Sequence, residues 1–133
     1  MGLSLEPLID FCVAEAAGRL EGDRKFAPFG AVMVGGDPKG VEAPGHIEAV
    51  EEELAALARG GIVRAVAVVD AVDLEAEMPD GATKAIRVHA ESYAGASEWI
   101  IPYRRLRRGL LGLKREVETG DKHGERSEAR FFA

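Results

Sequence analysis

The sequence predicts an α+β domain: a single antiparallel sheet of five to six strands with two helices packed on one face, in the order α-β-β-α-β-β-β-β. Three observations lead there. Two stretches, Leu3–Glu21 and His46–Arg59, repeat apolar residues at the three- and four-residue spacing of an amphipathic helix. The remaining apolar runs are short, β-branched or alternating, and glycine and proline divide them. After the second helix the strands follow one another with only turns between them, which leaves hairpins rather than crossovers.

In the first helix Ser4 is the expected N-cap, and Pro7 falls in the first turn, where its missing N–H costs nothing. Leu5, Ile9, Cys12, Ala16 and Leu20 form the stripe to be buried. Gly22 supplies the stop, and Gly18 marks a candidate close contact with another backbone. Phe29–Val34 is the first strand, with Pro28 at its start, where no ladder donor is needed. Gly35 to Gly40 reads as a turn, and Val41–Ala43 as the returning strand. In the second helix Ile47, Val50, Leu54 and Leu57 line one face, and Glu48, Glu51, Glu52 and Glu53 favour the outer face and the early turns. Gly60-Gly61 ends it.

Ile62–Val72 reads as the central strand, because both of its faces are apolar. Its alanine side, with Ala65, Ala67 and Ala71, suits the close approach of a helix. Leu74–Gly81 is a polar turn. Thr83–Ser92 alternates, with Ile86, Val88 and Ala90 on one side and Arg87, His89 and Glu91 on the other, as in a half-solvated strand. Ala94-Gly95 turns the chain into Ser97–Tyr103, which carries Trp99, Ile101 and Tyr103 on one side. Pro102 marks an end or an edge. Arg107-Arg108-Gly109 turns again, and Leu110–Val117 is the last strand. Residues 1–133 form one domain, with 119–133 a tail that is mobile or docked through Phe131-Phe132.

Composition narrows the function classes. The net charge is −6, with 11 acids and 5 bases before residue 61 and 12 of each after it. That balance disfavours binding to nucleic acid or to an anionic membrane through the whole surface. No apolar run approaches the roughly 20 residues of a membrane span, and Glu6, Asp10 and Glu15 interrupt any signal-like start. With Cys12 the single cysteine, neither an internal disulfide nor a multi-cysteine zinc site forms. A reducing cytoplasm is the expected location.

Each candidate for chemistry has a plainer reading beside it. His89-Ala90-Glu91 matches the H-A-E of nucleoside and base deaminases, and Pro28 to Val32 resembles the strand that leads into their core. In that family the histidine ligates zinc and the glutamate moves protons. The resemblance stops at the missing P-C-x-x-C pair and at the placement of H-A-E within a strand. His46-Ile47-Glu48 meets the same objection and reads as a helix cap. The remaining metal candidates are His46, His89, Asp70 and Asp73. Asp70 shares the side of Val66 and Val68 and reads as the partner of Arg64 or Arg87. Tyr103-Arg104-Arg105-Leu106-Arg107-Arg108, near Trp99, could meet phosphates and bases, or be a solvated hairpin tip. Cys12 reads as a small core residue. No cofactor motif is complete, so none is expected.

A wider resemblance rests on F-x-P-F-G-A (Phe26 to Ala31), V-D-x-x-D (Val69 to Asp73) and I-P-Y-R (Ile101 to Arg104) before a charged tail. These are similar to a group of small bacterial proteins, which implies a compact α+β domain and carries no activity. The favoured expectation is a non-catalytic binding module, homodimeric or with a protein partner. Its contact face would carry Arg87, His89, Glu91, Trp99 and Tyr103. A metal-dependent hydrolase or deaminase-like enzyme and an RNA- or nucleotide-binding domain stay open as alternatives.

Overall fold

The computed structural model describes residues 4–22, 26–42, 46–74, 79, 81–108 and 114–132. Most of the Leu74–Gly81 turn, the turn at Gly109 and the side chains of Arg107 and Arg108 lie outside the described residues. The elements are α1 (Glu6–Gly22), β1 (Phe29–Val34), β2 (Asp37–Val41), α2 (Ile47–Arg59), β3 (Ala65–Asp73), β4 (Lys84–Ser92), β5 (Gly95–Arg108), β6 (Lys114–Thr119) and β7 (His123–Ser127). They build one antiparallel sheet in the order β2-β1-β3-β4-β5-β6, with β7 also on β5. The α+β class, the single sheet and the element order agree with expectation; β7 is an addition. Among the described residues no helix is long and apolar enough to cross a membrane.

The helices do not share a face. Leu8, Ile9, Cys12, Ala16 and Leu20 of α1 pack on Phe29, Ala31, Met33, Ala65, Ala67, Val69, Ile86, Val88 and Ile101. Val50 and Leu54 of α2 pack on Val32, Val66 and Val68, the alternate residues of the same strands. Successive side chains of a strand point to opposite faces, so the two clusters lie on the two sides of the sheet. The expectation of both helices on one face is therefore corrected. A strand such as β3, apolar on both sides, needs a cover on each, and one helix supplies each cover. Ala65 and Ala67 do lie beneath a helix, namely α1.

The close approach falls at Gly30, not Gly18, and it is to side chains of α2 rather than to another backbone. A Cβ on Gly30 would stand 3.1 Å from Leu54 and 3.2 Å from Val50, whereas one on Gly18 would meet open space. Ser4 caps α1 by accepting the Glu6 N–H. The first hairpin turns on Gly35-Gly36 alone, with Gly35 at φ 64°. Its return strand therefore begins at Asp37 rather than Val41, and Pro38 sits within this edge strand. Ile62, expected in the central strand, stands 76% exposed before it.

Pro102 neither ends β5 nor lies on an edge; its oxygen accepts the Gly120 N–H at 2.7 Å. In an antiparallel ladder a residue's N–H and C=O point to the same neighbour. The donor that Pro102 lacks would thus point at the junction of β6 and β7. There the register slips: Tyr103 faces Thr119, yet Ile100 faces His123, so four steps on one strand answer three on the other. This is a β-bulge. It turns Lys122 toward α1, where Nζ meets Glu6 Oε1 at 2.8 Å and Asp10 Oδ1 at 3.1 Å. It also places Gly124 beneath the Trp99 ring, where a Cβ would stand 2.5 Å from the indole.

Candidate functional site

Registers decide which side chains can meet. Ser92 pairs with Gly95 across the Tyr93-Ala94 turn, so His89 faces Glu98 and Arg87 faces Ile100. Continuing across β7, Glu98 faces Glu125 and Ile100 faces His123. On the other side His89 faces Val68, Arg87 faces Asp70 and Glu91 faces Val66. Paired residues share a face, so Asp70, Arg87, His89, Glu91, Glu98, Ile100, His123 and Glu125 occupy the α2 side of the sheet. Trp99 and Tyr103 occupy the α1 side, packed in or against its core. The expected contact face of Arg87, His89, Glu91, Trp99 and Tyr103 is thus split between two sides.

The half-solvated character expected of β4 is also corrected. His89 is 2% exposed and Glu91 0%. Their cover is the chain's own C-terminal segment. Glu91 accepts the Arg130 N–H, at 2.8 Å on Oε2, and the Phe131 N–H, at 2.6 Å on Oε1. The Phe131 ring meets His89 edge-on at 6.2 Å, and Phe132 meets Tyr93 at 4.6 Å. Both phenylalanines pack against the α2 cluster. Arg130 reaches Glu51 of α2 at 3.3 Å. Residues 130–132 thus lie against β4 and α2.

His89 is left in an unusual state. Its Nε2 stands 3.6 Å from Glu91 Oε1, and among the described residues neither ring nitrogen has a hydrogen-bond partner. Burial, and then the nearby Arg130 charge, push its pKa below the ordinary histidine value, against the pull of Glu91 and Glu98. The neutral imidazole is the favoured form.

The other metal candidates stand apart. Asp70 takes a two-pronged ion pair from Arg87, with Nε on Oδ1 at 2.8 Å, and that hydrogen bond raises the Arg87 pKa. Asp73 is exposed, 4.0 Å from Lys84. His46 caps α2: its Nδ1 accepts the Ala49 N–H at 3.3 Å. Among the described residues no three His, Cys, Asp or Glu side chains are placed to hold one metal ion. His89-Ala90-Glu91 lies within β4, as alternation predicts, and not at a helix start.

In the basic tip, Arg104 pairs with Glu118 and Arg105 donates to the Leu20 carbonyl at 2.6 Å. Cys12 is buried in the α1 core, where burial and the Glu15 charge push its thiol up to about 12. At neutral pH it is no nucleophile.

Sequence reasoning missed Glu98, Ile100, His123, Glu125 and Arg130. One signal was available. Any two-residue hairpin pairs odd residues of β4 with even residues of β5, which excludes Trp99 from the His89 face. Nothing comparable announced that Glu91 would bind the tail. Comparison with family models, curated proteins and solved structures finds no match.

Proposed function

We propose that the chain is a non-catalytic binding module of the cytoplasm, working as a homodimer or against a protein partner through the α2 side of β4, β5 and β7. One observation carries this reading. α2 packs on β1 and β3, and the tail covers His89 and Glu91. The outer strands beyond them present Glu98 and Ile100, half-buried, beside exposed His123 and Glu125. Ile100, with Arg87 and His123 opposite it and Glu98 and Glu125 beside it, has the make-up of a polar-rimmed contact surface. The pair with acid–base chemistry, His89 and Glu91, is meanwhile engaged with or sealed by the tail, which favours binding over catalysis. The metal-site reading has less support because its four candidates serve a cap, two ion pairs and the tail contact. The nucleic-acid reading has less support because Arg104 and Arg105 are engaged within the chain.

Sedimentation across a wide concentration range tests the proposal. Wild type is expected to self-associate, or to shift with its partner, and Ile100→Lys to abolish this with its melting temperature retained. Association that Ile100→Lys leaves intact would move the surface elsewhere. A monomer at every concentration would remove the homodimer.

A further inference from the structure

The surface beside Glu91 and His89 is covered by residues 130–132 of the same chain. We propose that the groove between α2 and β4 is a recognition site for an extended, aromatic-bearing segment of a partner protein, and that residues 130–132 are its resident competitor. This goes beyond the Ile100 surface: it assigns the binding module a second site, with its own class of ligand.

The residues that the tail packs on belong to α2, β3 and β4. His89 and Glu91 sit in the C-terminal half of β4, between β3 and β5. The Glu91 carboxylate, wholly buried, binds consecutive main-chain N–H groups, Arg130 and Phe131. Main-chain recognition of this kind is indifferent to side-chain identity, so another extended chain could make the same two bonds. Selectivity would come from the aromatic side chain that lies against His89 and the α2 cluster.

The resident segment fits incompletely. Glu128, Ala129 and Arg130 are exposed, and Phe131 and Phe132 are only half-buried. Both His89 ring nitrogens are buried without a hydrogen bond among the described residues, Nε2 standing 3.6 Å from Glu91 Oε1. Such a group is costly to leave unsatisfied. A partner segment that brings a polar atom to His89 gains a contact that the tail does not make, and so can displace it. Because the tail is tethered, it competes at a high effective concentration, and the groove opens to others in proportion to the time the tail is away.

The experiment uses the chain of residues 1–133 and a fluorescent octapeptide with the sequence of residues 126–133. Arg130→Pro removes one of the two N–H donors from the tethered tail. Phe131→Ala is the second variant, should the first fail to fold. The peptide is expected to bind either variant saturably, about tenfold or more tighter than wild type, since the tethered competitor is weakened. Adding Glu91→Gln is expected to remove that binding. A folded variant that does not bind the peptide would overturn the inference. So would equal binding by wild type, the tail variants and Glu91→Gln. Concentration-dependent dimers formed by exchange of tails would overturn it by making the occupant a second copy. Failure here leaves the Ile100 surface untouched, so the two proposals fall separately.

Discussion

Replacing Glu91 by glutamine keeps the shape of the side chain and removes its charge. In the wild type its two oxygens take the N–H groups of Arg130 and Phe131. Hydrogen bonds to a charged acceptor contribute about 1.5–3 kcal/mol each, so the pair contributes about 3–6 kcal/mol before the cost of burying the carboxylate. Glutamine retains one acceptor oxygen and sheds part of that desolvation cost, which brings the expected loss of tail docking to about 2–4 kcal/mol. The loss has a ceiling, because a released tail regains water on its own N–H groups. Native-state hydrogen exchange reads the effect directly. The Arg130 and Phe131 amides should exchange about 30- to 1000-fold faster in Glu91→Gln, the same range expressed as a rate. Amides of Ala67 and Val88, in the centre of the sheet, should change far less. Unchanged protection at Phe131, or a loss spread evenly over the sheet, would refute the claim that Glu91 holds the tail.

Three further outcomes follow from the packing. Gly124→Ala drives a methyl into the Trp99 indole, which would stand 2.5 Å away. It should cost about 1–3 kcal/mol, as overpacking does, and shift Trp99 fluorescence to the red; unaltered emission and melting would count against the bulge geometry. Phe29→Ala empties a site that is 2% exposed, between the α1 core, the Phe26 ring at 5.6 Å and the Arg19 guanidinium at 4.2 Å. It should cost about 3–5 kcal/mol in denaturant titration, and a loss below about 1 kcal/mol would displace Phe29 from the centre of the fold. His89 gives a pH dependence. Its folded pKa lies below the unfolded value of about 6.5, because burial disfavours the charged ring. Below that unfolded value the unfolded chain binds more protons than the folded one, so stability falls as pH drops from about 6.5 toward the folded pKa. Denaturant midpoints at stepped pH should show this slope and lose it in His89→Gln; an equal slope in that variant would assign the titration elsewhere.

Much of the scaffold was readable because its signals are local. Ser4, His46 and Gly35 are set by caps and turns within a few residues of themselves. The apolar faces of β3 were equally plain, and they required cover on both sides; assigning both helices to the alanine side set that requirement aside. Non-local features were hidden. The bulge at 120–122 depends on Pro102, about twenty residues earlier in the chain. The burial of His89 and Glu91 depends on Arg130 and Phe131, some forty residues later. A strand with alternating polar residues reads as solvated from its own sequence, and only the returning tail makes that side dry.

The central claim is that the α2 side of the outer strands is where this protein meets another molecule. Amide chemical shifts followed across a concentration series, or on adding a partner, test it most directly. Movement is expected at Glu98, Ile100, His123 and Glu125, while α1 and its face of the sheet stay fixed. Movement confined to α1 or to the β2 edge, with those four residues unchanged, would contradict it.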